Sequence, residues 1–139
     1  MPTWTGYFSD AGDPVVRISI SGPFRRLAKE FEVTIDTGFS GFLSIPLLQA
    51  FPLGLILTGS TSVRLADGSV QYRLTALAVV FVDDETEVEL VILEPRATAV
   101  LAGMQLLRVF RKKLVVSLEG GTVLLEDESP QPQAQVPPA

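Results

Sequence analysis

The sequence predicts an all-β fold, a small closed β-barrel with one short helix near its C-terminal end. Short apolar or alternating runs separated by turn residues fill the chain from Val15 to Leu125, the pattern of a small β architecture. Helical spacing is confined to one late segment, after Gly103. At 139 residues the chain is a single domain, long enough to bury a core.

Val15-Val16-Arg17-Ile18-Ser19-Ile20 alternates from Val16 and stops at Ser21-Gly22-Pro23, which reads as a strand. Phe31-Glu32-Val33-Thr34-Ile35 reads as a second. Phe42-Leu43-Ser44-Ile45 follows, and Pro46 opens a short helical turn over Leu47 to Phe51. Ser62 to Leu65 and Val70 to Leu74 flank Ala66-Asp67-Gly68-Ser69, and Asp-Gly between alternating runs signals a hairpin. Thr75 to Val82 and Val88 to Leu93 form another strand pair around the acidic turn Asp83-Asp84-Glu85. In the helix, Met104, Leu107 and Phe110 make a core stripe. Arg108, Arg111, Lys112 and Lys113 gather at its end, where cations suit the helix dipole. Leu114 to Leu118 and Thr122 to Leu125 make a last hairpin across Glu119-Gly120-Gly121. Trp4, Tyr7 and Phe8 read as core or interface aromatics. Residues 1–126 are therefore expected to form the domain, and 127–139, rich in Pro, Gln and Ala, a disordered tail.

Composition narrows the function. Apolar residues make up 47% of the chain and mean hydropathy is +0.35. No run approaches the roughly 18 apolar residues of a spanning helix, so the apolar excess belongs in a core or a subunit interface, and no membrane partner is expected. Met1-Pro2-Thr3-Trp4 lacks the basic-then-apolar pattern of a signal peptide. With zero cysteines besides, the expected location is cytoplasmic. A net charge of −5 argues against nucleic acid as a partner. The absence of histidine removes Ser-His-Asp and Cys-His catalysis and most transition-metal sites, leaving carboxylates, lysine or hydroxyls. Asp83, Asp84, Glu85, Glu87 and Glu89 lack the glycine-turned spacing of a cation loop and read as a solvated turn with outward-facing strand residues. No metal and no cofactor is expected.

Asp36-Thr37-Gly38 ends the run Phe31 to Ile35 and precedes Phe39-Ser40-Gly41. An acid at the mouth of a buried strand, backed by a hydroxyl and a glycine, can serve as a catalytic carboxylate. The same tripeptide is also an ordinary turn, since Asp and Thr cap turns and Gly tolerates positive φ. The motif occurs once, so chemistry that needs two acids would need two chains.

Three features in order extend this reading: the apolar strand into Asp36-Thr37-Gly38, the Asp67-Gly68 hairpin, and Ala99-Val100-Leu101-Ala102-Gly103 leading into a helix. Together they resemble the retropepsin-like (clan AA) aspartic proteases, most closely the prokaryotic Asp-Thr-Gly-Phe type. The matching stretch runs from Ile35 to Pro46, and the order of elements spans Val15 to Leu125. Ala102 stands where the family usually has a second large aliphatic, and Ala66-Asp67-Gly68-Ser69 replaces a glycine-rich flap tip. The resemblance implies a retropepsin-like (acid protease) barrel acting as a homodimer on a peptide or protein substrate. Asp36 would be catalytic, with Thr37 and Gly38 supporting it. Phe39 and the flap residues Ala66, Asp67 and Gly68 would touch substrate. A dimeric peptide-binding module without turnover, and an unrelated small β-barrel binding domain, are the competing readings.

Overall fold

The structure, a computed structural model, describes residues 3–129. In chain order the elements are β1 (Trp4–Phe8), β2 (Pro14–Ser21), β3 (Ala28–Ile35), β4 (Leu43–Pro46), α1 (Leu47–Ala50), a 3-10 turn (Phe51–Leu53), β5 (Ile56–Arg64), β6 (Val70–Val82), β7 (Glu85–Glu94), β8 (Val100–Ala102), α2 (Met104–Phe110), β9 (Lys112–Ser117) and β10 (Thr122–Asp127). Among the described residues, six strands close on themselves in the order β2-β3-β8-β4-β7-β6. Closure is made by β6 pairing back onto β2, through Ser19↔Phe81, Ile20↔Val80 and Ser21↔Val79. β5 extends the sheet beyond β6, and β1, β10 and β9 extend it beyond β2. The chain is an all-β barrel, and no helix among the described residues is long and apolar enough to cross a membrane.

Alternation builds the wall. Val16, Ile18 and Ile20 on β2 are buried, as are Phe31, Val33 and Ile35 on β3. Val16 lies opposite Val33, and Ile18 opposite Phe31. Leu43, Ile45, Ala76, Ala78, Val80 and Val91 complete an interior in which each of them is fully covered. Full burial of a Val, Leu or Ile side chain stabilises by about 1.5–3 kcal/mol.

The short helical turn expected over Leu47 to Phe51 is present as α1, and the 3-10 turn carries it on to Leu53. It follows Pro46, whose φ of −55° suits helix entry, and ends at Gly54 with φ 68°. The structure departs from expectation at several points. Trp4–Phe8 is a strand that pairs first with β10 and then with β2. A Cβ on Gly6 would overlap the Val15 carbonyl oxygen, so glycine is required where β1 changes partner. The two runs on either side of Thr75 are one 13-residue strand, β6. β7 begins at Glu85, so the acidic turn is only Asp83-Asp84.

Met104 is 40% exposed and does not belong to the core stripe, whereas Leu107 and Phe110 are buried. Lys112 does not cap α2. Arg111 takes the left-handed conformation, φ 56°, and ends the helix, leaving Arg108 as the basic residue of its last turn. Lys112 then enters β9 with its side chain wholly covered, 3.0 Å from Glu85 and 2.5 Å from Asp127. That pair also corrects the expected start of the tail. Asp127 is the last residue of β10, and the next residue, Glu128, donates its N–H to the Arg111 carbonyl at 2.9 Å. Residues 130–139 of the expected tail, with Met1 and Pro2, lie outside the described residues.

Candidate active site

β8 is the spine of the site. On one side β3 runs parallel to it, with Val33↔Val100, Thr34↔Leu101 and Ile35↔Ala102. On the other β4 runs antiparallel, with Leu43↔Ala102 and Ser44↔Leu101. Residues 36–42 therefore form a loop that leaves one neighbour of β8 and returns as the other. Ala102, fully buried, pairs with both flanking strands.

Backbone bonds stitch this loop to α2. Asp36 N–H donates to the Ala102 carbonyl (2.8 Å), and Gly103 N–H to that of Phe42 (3.1 Å). Met104 N–H donates to the Phe39 carbonyl (2.8 Å) and Gln105 N–H to that of Gly41 (3.1 Å). α2 has no side-chain N-cap, so loop carbonyls satisfy amides that the helix start would otherwise leave unpaired. The approach is close. A Cβ on Gly103 would overlap the carbonyl oxygens of Phe39 and Gly41, and one on Gly41 would come within 2.5 Å of the Phe39 ring. Sequence reasoning did not single out Gly41 or Gly103 as site residues, and their glycine identity is the signal that could have found them.

Asp36 is half-buried at the loop's start and Thr37 and Gly38 are exposed. One carboxylate oxygen, Oδ1, accepts the Gly38 N–H at 2.9 Å. Among the described residues no other hydrogen bond and no cation engages this carboxylate. A Cβ on Gly38 would lie 3.2 Å from Oδ1, so a side chain there would crowd the acid. The Asp36 N–H, engaged by Ala102, fixes the residue while its carboxylate stays open on one side. Thr37 opens onto a groove of about 1030 Å³ that Met104, Arg108, Lys113 and Leu114 also line.

The β5–β6 hairpin carries the other predicted residues. Leu65 N–H donates to the Ser69 carbonyl (2.8 Å) and Gly68 N–H to that of Leu65 (2.9 Å). Gly68 has φ 85°, a left-handed turn position. Asp67 Oδ1 accepts from Ser69 Oγ–H at 2.6 Å and from Ser69 N–H at 2.9 Å. These bonds, the hydroxyl's first, hold the Asp67 carboxyl below its ordinary value.

Ala66, Asp67 and Gly68 are exposed at the tip, and among the described residues no hydrogen bond joins them to the motif loop. The structure thus gathers Asp36, Thr37, Gly38 and Phe39 around β8 and α2, and holds Ala66 to Gly68 on a separate arm. That arm has an apolar face that sequence reasoning missed. Val70, Tyr72 and Leu74 are 51%, 74% and 45% exposed. They fall in phase with Ala76, Ala78 and Val80, so the row that lines the barrel continues outward along one face of the hairpin.

Among the described residues no group of three or more Asp, Glu, His or Cys side chains gathers as metal ligands. A scan against protein-family models and a search of curated proteins each return no match.

Proposed function

We propose that the chain is a retropepsin-like aspartic endopeptidase, working as a homodimer in which Asp36 of each subunit supplies half of the catalytic pair. The observation that carries this reading is the Asp36 carboxylate. It stands at the end of a core strand, anchored through its own N–H to Ala102, with one oxygen bound to Gly38 and, among the described residues, no cation beside it.

Two such carboxylates at about 3 Å cannot both ionise and share one proton. The charged member removes a proton from a water between them, and that water attacks the scissile carbonyl carbon. The protonated member donates to the carbonyl oxygen. Collapse of the tetrahedral intermediate returns a proton to the leaving amine. The pair titrates as a unit.

Thr37 and Gly38 would hold the loop. Phe39, Ala66, Asp67 and Gly68 would contact an extended peptide, which pairs by its backbone and presents alternate side chains to either face. A chain without cysteines fits the cytoplasm.

Solution mass and cleavage of a broad peptide library, from acid to neutral pH, test the reading on wild type and Asp36→Asn. The expected result is a wild-type dimer that cleaves and a mutant dimer whose rate falls by about 10³-fold or more. A wild-type dimer that cuts nothing would favour a peptide-binding module. A stable monomer would overturn both dimeric readings.

A further inference from the structure

Two loops meet at the end of the barrel away from Asp36. β3 carries the chain about 25 Å from Ala28 to Ile35, and β4, antiparallel to β8, returns it from Leu43 to Pro46. The β2–β3 turn and the α1–3-10 segment therefore stand together, and backbone clamps them. Gly22 N–H donates to the Leu53 carbonyl at 3.0 Å, and a Cβ on Gly22 would overlap the Gly54 carbonyl oxygen. In the turn itself Arg25 N–H donates to the Gly22 carbonyl at 2.9 Å, with Arg25 left-handed at φ 54°.

Both loops turn large apolar side chains outward. Phe24 is 75% exposed, Leu48 82% and Phe51 79%. In α1 and the turn after it, Ala50 and Leu53 are buried, whereas Leu48 and Phe51, one helical turn apart, share the outer face. The charge around them is one-sided. Arg25 and Arg26 are exposed, and neither takes part in an ion pair among the described residues. Residues 14–29 and 37–66 contain no Asp or Glu, in a chain of net charge −5. The acids bordering the two loops are engaged. Glu30 lies 3.5 Å from Arg17, and Glu94, opposite Pro46, lies 2.8 Å from Arg73.

We propose that this surface docks the protein onto an anionic lipid bilayer. Phe24, Leu48 and Phe51 seat at the boundary of headgroups and acyl chains, and Arg25 and Arg26 lie against lipid phosphates. Arginine suits that place, since its stem accepts apolar surroundings while the guanidinium stays at the phosphates. Docking of this kind crosses nothing and needs no spanning helix. A lipid surface fits better than a protein partner because the apolar side chains stand on turn tips. The recess between the loops, lined by Arg25, Arg26 and Leu53 among others, holds about 250 Å³, below the size of an ordinary ligand pocket. A bilayer demands no matching cleft. Asp36 lies at the other end of β3, so docking leaves the proposed catalytic loop clear of the lipid.

Cosedimentation with vesicles tests this. Wild type is expected to bind vesicles of about 30% phosphatidylserine in phosphatidylcholine, to leave pure phosphatidylcholine largely unbound, and to release as salt rises. Arg25→Gln with Arg26→Gln is expected to weaken partition by about 30-fold, about fivefold per arginine. Leu48→Ser with Phe51→Ser is expected to weaken it by about tenfold or more. Every substituted position is exposed, so the native fluorescence of buried Trp4 should persist. Leu118→Ser, at an equally exposed leucine in the β9–β10 turn, is expected to change nothing.

A wild type that stays in solution with both kinds of vesicle overturns the proposal, as does binding that either double variant leaves unchanged. Retention instead on an immobilised acidic peptide carrying phenylalanines, lost in Arg25→Gln with Arg26→Gln, overturns the lipid surface in favour of an acidic protein partner.

Discussion

Lys112 and Trp4 bind the same oxygen. The Lys112 ammonium lies 3.0 Å from Glu85 Oε2, and the Trp4 indole N–H donates to that atom at 2.6 Å. The ammonium also stands 5.1 Å above the Trp4 ring, and the ring packs edge-on against Phe110 at 4.8 Å. One buried cation thus ties β1, β7, β9 and β10 together. Lys112→Ala leaves the Glu85 carboxylate without its counter-charge and is expected to destabilise by about 3–5 kcal/mol. Lys112→Met, which keeps the apolar stem, should cost less. Urea unfolding followed by the chain's single tryptophan reports both.

The same cluster sets an alkaline dependence. Burial alone would lower the Lys112 pKa, but hydrogen bonds and charges from Asp127 and Glu85 outweigh it and leave the value above 10.5. A raised folded pKa means that the contribution is full below 10.5 and is lost as pH rises through the folded value. Wild type should lose stability in that alkaline range more steeply than Lys112→Met, in urea midpoints measured across it.

The contact of Gly103 with the Phe39 and Gly41 carbonyls gives a third expectation. Gly103→Ala must push the motif loop away from the start of α2, at a cost of about 3 kcal/mol. The neighbouring Gly38→Ala crowds one carboxylate oxygen only and should lower cleavage more than stability. Thermal unfolding and cleavage rate, measured together, separate the two.

At the hairpin tip, Ser69→Ala removes the hydroxyl that contributes most to the depressed Asp67 pKa, so that value should rise toward 3.8. A carboxyl with a lowered folded pKa stabilises above its ordinary value and loses that contribution as pH falls through the folded one. In wild type the tip should therefore hold its turn further into acid than in Ser69→Ala. An NMR titration of the Asp67 carboxyl carbon, with the Ser69 amide in wild type, follows both.

Much of this fold is legible locally. Alternation in Val16, Ile18 and Ile20 marks the wall because period two needs no distant partner. Asp67-Gly68 marks the hairpin because the turn demands glycine at φ 85°. Asp36-Thr37-Gly38-Phe39 is legible for the same reason, as local turn chemistry. Lys112 is not. Nothing in Arg111-Lys112-Lys113 distinguishes the middle cation, and its burial depends on the left-handed turn at Arg111 and on carboxylates brought from β7 and β10. The stitching of Phe39 and Gly41 to α2 uses backbone atoms, which leave no side-chain signature beyond two glycines. Alternation puts Val70, Tyr72 and Leu74 on one face, but where that face leaves the interior depends on where the barrel closes, a long-range fact.

β6 has one further consequence. Its 13 residues, about 40 Å of continuous strand, are at once a barrel stave and the arm of the hairpin. Its pairing with β7 runs without a register break, whereas β5 shifts register between Leu57 and Gly59. The two sides of the arm therefore differ: β5 breaks register beside Gly59, φ 150°, while β6 runs unbroken from Val70 to Val82. The packed interior at Ala76 and Ala78 is thus continuous, along one strand, with the arm that leads to the tip at Asp67.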